Sequence, residues 1–126
     1  MGFPAVRFEF TSRNLRETEG FYSQLFGWKF HPVSNLPYSA IDTATLGGIP
    51  GGAGRLEDGR TPGTTLYVEV PSVTETLRHA EMLGGTMVRP ATLLAPGLVV
   101  ATFQDREGRL VGICNNEPSL KASERR

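Results

Sequence analysis

A single cysteine, two histidines and no net charge narrow what this chain can be. With one thiol, Cys114, no internal disulfide framework can form. That cysteine sits in the strand-like run 110–114, where a small buried apolar residue is the ordinary role and no cation or catalytic partner stands beside it. His31 and His79 are too few for a histidine-rich metal site, and their surroundings suit surface or packing roles. Thirteen basic residues balance thirteen acidic ones, which leaves no electrostatic footprint for nucleic acid or an anionic membrane. No apolar run approaches the ~20 residues of a membrane-spanning helix, and no charged-then-apolar leader is visible. The expectation is a soluble, cytoplasmic protein. At 126 residues the chain is long enough to bury a core without disulfides or metal.

What is present is a repeat. At an offset of 58 residues Leu15 falls on Val73, Glu17 on Glu75, Thr18 on Thr76, Leu25 on Leu83 and Gly27 on Gly85. Each copy begins with an alternating strand (4–10 and 64–70) and continues into a helix with apolar residues at helical spacing. In the first helix these are Leu15, Thr18, Tyr22, Leu25 and Phe26, with Ser12 or Asn14 as cap and Gly27 as a left-handed stop. In the second, Ser72 caps 73–83 and Gly84-Gly85 ends it. Three further strands follow in each copy: 28–32, 38–43 and 46–56, then 86–88, 97–104 and 110–115. Residues 105–108 form the turn before the last strand.

The reading is an α+β fold of two tandem βαβββ modules, with curved sheets around a cleft and helices outside. One domain spans 1–120: module 1 at about 4–56, a turn-rich linker at 57–63, module 2 at about 64–116. Residues 117–126 form a polar tail. The glycine run at 47–54 lacks the Lys-Ser/Thr of a phosphate loop and opens no helix. A bulged strand whose missing side chains leave room for a ligand or a neighbouring backbone is the simpler account.

Val6-Arg-Phe-Glu-Phe10, Phe21-Tyr-Ser-Gln-Leu-Phe-Gly-Trp28, Leu66-Tyr-Val-Glu-Val70, Gly84-Gly85 and Phe103-Gln-Asp-Arg-Glu-Gly-Arg-Leu-Val-Gly112 occur in that order. Together they resemble the vicinal oxygen chelate superfamily, the glyoxalase, bleomycin-resistance and extradiol-dioxygenase group, over about residues 4–116. The resemblance implies the fold but not one activity, since that fold hosts isomerases, dioxygenases, thiol transferases and drug binders. It also implies that metal-dependent members hold a divalent ion with His and Glu from the first and last strand of each copy. Here those positions carry Arg7, Thr65, Gly112 and the glycines around 52–54. A guanidinium never loses its proton and cannot ligate. The expectation is therefore no metal and no other cofactor.

Arg7 and Glu9 share one strand face, as do Thr65, Tyr67 and Glu69. Arg7, Glu9 and Tyr67 are the candidate catalytic residues: an electrostatic clamp, a general base and a hydroxyl donor. Trp28, Tyr38, Thr65, Glu69, Phe103 and Gly112 are the candidate ligand-binding residues, with the aromatics as cleft walls. Three functions compete. One is a metal-free binder of a small aromatic or amphipathic molecule, of the drug-sequestering kind. The second is a metal-free isomerase, cyclase or lyase using Arg7 and Glu9. The third, a metal-dependent glyoxalase- or dioxygenase-type enzyme, is opposed by Arg7, Thr65 and Gly112. The resemblance also implies a homodimer; the partner in every reading is a small organic ligand.

Overall fold

The computed structural model describes residues 2–43, 46–56, 61–95 and 97–115. The first four residues of the expected linker (57–60) and the expected tail (117–126) lie outside the described residues. The fold is mixed α+β, with eight strands and two helices. Two compact units are distinguished, one formed by Val6–Leu66 and the other by Tyr67 onward together with the first few residues of the chain.

In the first unit β1 (Ala5–Ser12) leads into α1 (Leu15–Phe26), followed by β2 (Lys29–Pro32), β3 (Tyr38–Asp42) and β4 (Gly51–Arg55). The strand order is β2-β3-β4-β1, with β4 parallel to β1 and the other pairs antiparallel. The second unit repeats the plan with β5 (Gly63–Glu69), α2 (Val73–Met82), β6 (Thr86–Ala95), β7 (Leu98–Gln104) and β8 (Leu110–Asn115). Its order is β5-β8-β7-β6, again with one parallel pair, β5 with β8. The boundary falls inside β5 for a local reason. Gly63 donates its N–H to Thr11 Oγ1 at 3.0 Å, whereas Glu69 donates to the Pro4 carbonyl at 2.9 Å.

Of the two candidate caps of α1, Asn14 does the capping: its Oδ1 accepts the Glu17 N–H at 3.2 Å. Ser12 braces the turn instead, accepting from Asn14 N–H at 3.1 Å and bonding Thr18 Oγ1 at 2.6 Å. Gly27 ends the helix with φ 74° and donates to Ser23 O, the left-handed stop that a residue with a Cβ would resist. Trp28 lies outside the strand, which starts at Lys29. The glycine run yields a strand only over Gly51–Arg55. Strand β6 is longer than its sequence suggests, because Pro90 sits in the outer strand of its unit, where register irregularities absorb the missing N–H.

The helices are held differently. Val73 and Leu77 of α2 are buried in a cluster with Val70, Val99, Ala101 and Ile113. No residue of α1 is fully buried; Leu15 packs on the Phe8, Ile41 and Ala53 cluster, the Tyr22 ring lies tilted against Phe10, and Glu19 accepts the buried Ser39 hydroxyl at 2.6 Å. Leu25, one of the periodic positions, is 58% exposed. Leu77→Ala should therefore cost roughly 2–4 kcal/mol in denaturant unfolding. Leu25→Ala should stay within about 0.5 kcal/mol, despite the same chemical change. Equal losses would mean that the two helix faces are buried alike.

Candidate functional site

The pleat of β1 sends Phe8, Phe10 and Ser12 toward α1 and leaves Arg7 and Glu9 on the opposite face. In β3 the same alternation turns Ser39 and Ile41 to the helix side, so Tyr38 and Ala40 share the Arg7 and Glu9 face. Strand pairing aligns Glu9 with Gly52, Gly52 with Ala40, and Gly54 with Tyr38. The absence of side chains at Gly52 and Gly54, the positions of β4 on this face, is what allows the cluster to form. A Cβ on Gly52 would overlap the Tyr38 hydroxyl and come within 2.9 Å of Arg7 Nη2. The glycines leave room, and a phenol fills it.

Arg7 Nη2 donates to Tyr38 Oη at 2.6 Å, and Tyr38 Oη donates to Glu9 Oε2 at 3.0 Å. Arg7 and Glu9 are 4.0 Å apart, with side chains 16% and 19% exposed. The phenol thus bridges cation and carboxylate in one polarised chain of donors. Burial and the neighbouring Glu9 carboxylate push the Tyr38 pKa up to about 12, against a smaller lowering by Arg7. At neutral pH Tyr38 keeps its proton and its role as a donor.

In the second unit Tyr67 pairs with Gly112 and lies over it, so that a Cβ there would collide with the phenol ring. Glu9 and Tyr67 are repeat-equivalent, 58 residues apart, which makes Gly52 and Gly112 equivalent too. Both copies therefore place a bare glycine at the same topological position and cover it with a tyrosine. These are the last-strand positions where the resemblance implies a metal-binding carboxylate. Gly52 and Gly112 offer no side-chain ligand and no space for one. Among the described residues no three His, Cys, Asp or Glu side chains come together to hold a metal ion.

The remaining candidates are scattered. Trp28 packs on Phe8 and Phe10, on the helix side of β1 and away from the polar cluster. Phe103 packs against the Val70 and Leu77 cluster, on the α2 side of its sheet. Thr65 is buried at 6% exposure, and Glu69 is exposed, paired in register with Cys114. Reading the chain did not couple Tyr38 to Arg7 and Glu9, because 31 and 29 residues separate them and no local pattern links them. The glycine run was the one available signal.

Phenolate absorbance should show one tyrosine titrating at about pH 12 and absent in Tyr38→Phe. Glu9→Gln should lower that pKa and Arg7→Met should raise it. Because the folded pKa lies above the ordinary 10.0, this group's contribution to stability is complete below about pH 10 and fades toward pH 12. A Tyr38 that titrates as a free phenol in all three proteins would break the cluster as described.

No protein-family model matches the chain. A "Glyoxylase-like domain-containing protein" from Didymella fabae is 28% identical over 113 residues, 84% of this chain and 88% of the relative. Among solved structures, a glyoxalase/bleomycin resistance protein/dioxygenase superfamily member from Vibrio splendidus 12B01 superposes with TM-score 0.62 at 12% identity, over 90% of this chain and 98% of that one. Methylmalonyl-CoA epimerase from Mycobacterium tuberculosis superposes with TM-score 0.61 at 18% identity, over 94% and 91%. These structures share the fold, and the Didymella fabae relative adds likeness in sequence. By its repeated βαβββ plan the chain has the fold of the glyoxalase, bleomycin-resistance and dioxygenase group, and in sequence it is similar to a glyoxylase-like domain protein.

Proposed function

We propose that the protein binds a small aromatic or amphipathic organic molecule without a metal, using Arg7, Tyr38 and Glu9 as polar anchors. The observation that carries this reading is the bridged cluster over Gly52. A permanently charged guanidinium occupies the position of an imidazole ligand, and a phenol fills the space of a carboxylate. Arg7 would repel a divalent cation rather than hold it, so no step is drawn through one. A planar guanidinium suits a carboxylate, phenolate or enolate oxygen, and Tyr38 adds a protonated hydroxyl beside it. Glu9 offsets part of the Arg7 charge. The pair therefore favours a ligand that carries a hydrogen-bond donor next to its acceptor over a simple anion.

The Tyr38–Glu9 hydrogen bond also favours a second reading, a metal-free isomerase, cyclase or lyase. There Glu9 would take a proton from a carbon beside a carbonyl, and Arg7 would pair with the enolate oxygen that develops. A homodimer, expected from the resemblance, and a cytoplasmic location, expected from the sequence, complete the proposal. No helix among the described residues is long and apolar enough to cross a membrane.

After dialysis against a weak chelator, metal analysis should find far less than one divalent ion per chain, with no change in melting temperature. A stoichiometric ion whose removal destabilises the protein would overturn the metal-free reading. Screening aromatic hydroxy acids by thermal shift should find ligands that raise the melting temperature. Arg7→Met should abolish the rise. Glu9→Gln then separates the two readings: a binder changes only in affinity, while an enzyme loses turnover with affinity nearly intact.

A further inference from the structure

On the helix side of β1, within the first unit, lies a cavity of about 610 Å3. Its walls are four aromatic side chains, Phe8, Phe10, Phe26 and Trp28, and Thr43, Gly48 and Ile49 complete the lining. The volume is in the range of small-molecule sites, roughly 300–1,000 Å3. It is an open depression: Phe8 at the floor is 8% exposed, whereas Phe26 and Ile49 at the rim are 55% and 43% exposed. Trp28 sits at the centre of the rings, with Phe26 at 5.1 Å, Phe8 at 5.5 Å and Phe10 at 6.4 Å between centroids. These are the separations of rings that interact through their edges and faces.

The chemistry of the lining selects the occupant. None of the seven residues carries a charge. The one lining hydroxyl, Thr43 Oγ1, donates to the Ile49 carbonyl at 3.4 Å. Arg7 and Glu9 project from the other face of β1. A charged group seated here would lose part of its hydration and meet no counter-charge in the lining, whereas a neutral ring would exchange water for aromatic contacts. We propose that this cavity binds a neutral, planar, mono- or bicyclic aromatic molecule, at a site separate from the Arg7–Tyr38–Glu9 cluster. The site does not depend on the metal-free reading of that cluster. It also gives a place in the molecule to Phe26 and Trp28, which the polar cluster leaves unused.

Trp28 is the single tryptophan, so one indole N–H resonance reports on this site alone. Coumarin, neutral and bicyclic, should shift that resonance saturably when titrated into the full chain. The 2-naphthoate anion, of similar size, should bind there at least about tenfold more weakly. This comparison needs no variant. Ile49→Asp, at an exposed position of the mouth, should weaken coumarin about tenfold while the circular dichroism and the Tyr38 titration stay as in the parent. A linear, unsaturable shift, equal binding of the two probes, or an Ile49→Asp protein that binds coumarin like the parent would each overturn the proposal. So would a Trp28 resonance that moves with protein concentration alone, which would mean that a second copy covers the cavity. Naphthoate that shifts resonances around Arg7 but leaves Trp28 still would support both sites at once.

Discussion

The two-residue period of β1 is the constraint on which the chemistry of the first unit rests. Because successive side chains must leave opposite faces of the strand, Val6-Arg7-Phe8-Glu9-Phe10 delivers charge to one side and aromatic rings to the other. Phe8 and Phe10 meet α1, Trp28 and the cavity; Arg7 and Glu9 meet Tyr38. A slip of one residue in the register of β1 would exchange the two environments and bury both charges under the helix. The pairing of Glu9 with Gly52 and Phe10 with Ala53 holds that register.

The glycines of β4 and β8 are the second constraint, and they act by what they lack. On β4 the missing Cβ of Gly52 lets a tyrosine from β3 lie across two strands and reach both Arg7 and Glu9. On β8, Gly112 admits the ring of Tyr67. Both modules thus reach the same outcome, a phenol over a glycine, with the tyrosine supplied by different strands. The duplicated architecture is kept while each module places a phenol, rather than a carboxylate, over its glycine.

Much of this was legible in the chain. The 58-residue repeat, the alternation of β1 and β5, the Gly27 stop and the order of elements follow from short-range rules, each acting over a few residues. So does the shared face of Arg7 and Glu9. Where the reading and the structure differ, tertiary context is the reason. Leu25 keeps helical spacing yet stays exposed, because periodicity says which residues share a face but not whether a neighbour covers it. Strand β6 runs through Pro90 because an outer strand tolerates a missing donor.

The sequence by itself determined the fold class, the duplication and the residue types at the positions to which the resemblance points: Arg7, Thr65, Gly112 and the glycines around 52–54. Those are local facts of order and spacing. Only the tertiary structure decided the partners. It set Tyr38 between Arg7 and Glu9, turned Trp28 and Phe103 to the helix sides of their sheets, and opened an aromatic cavity behind the polar cluster. The reason is that side chains about 30 residues apart meet through strand pairing, and pairing register depends on the whole sheet rather than on any one segment.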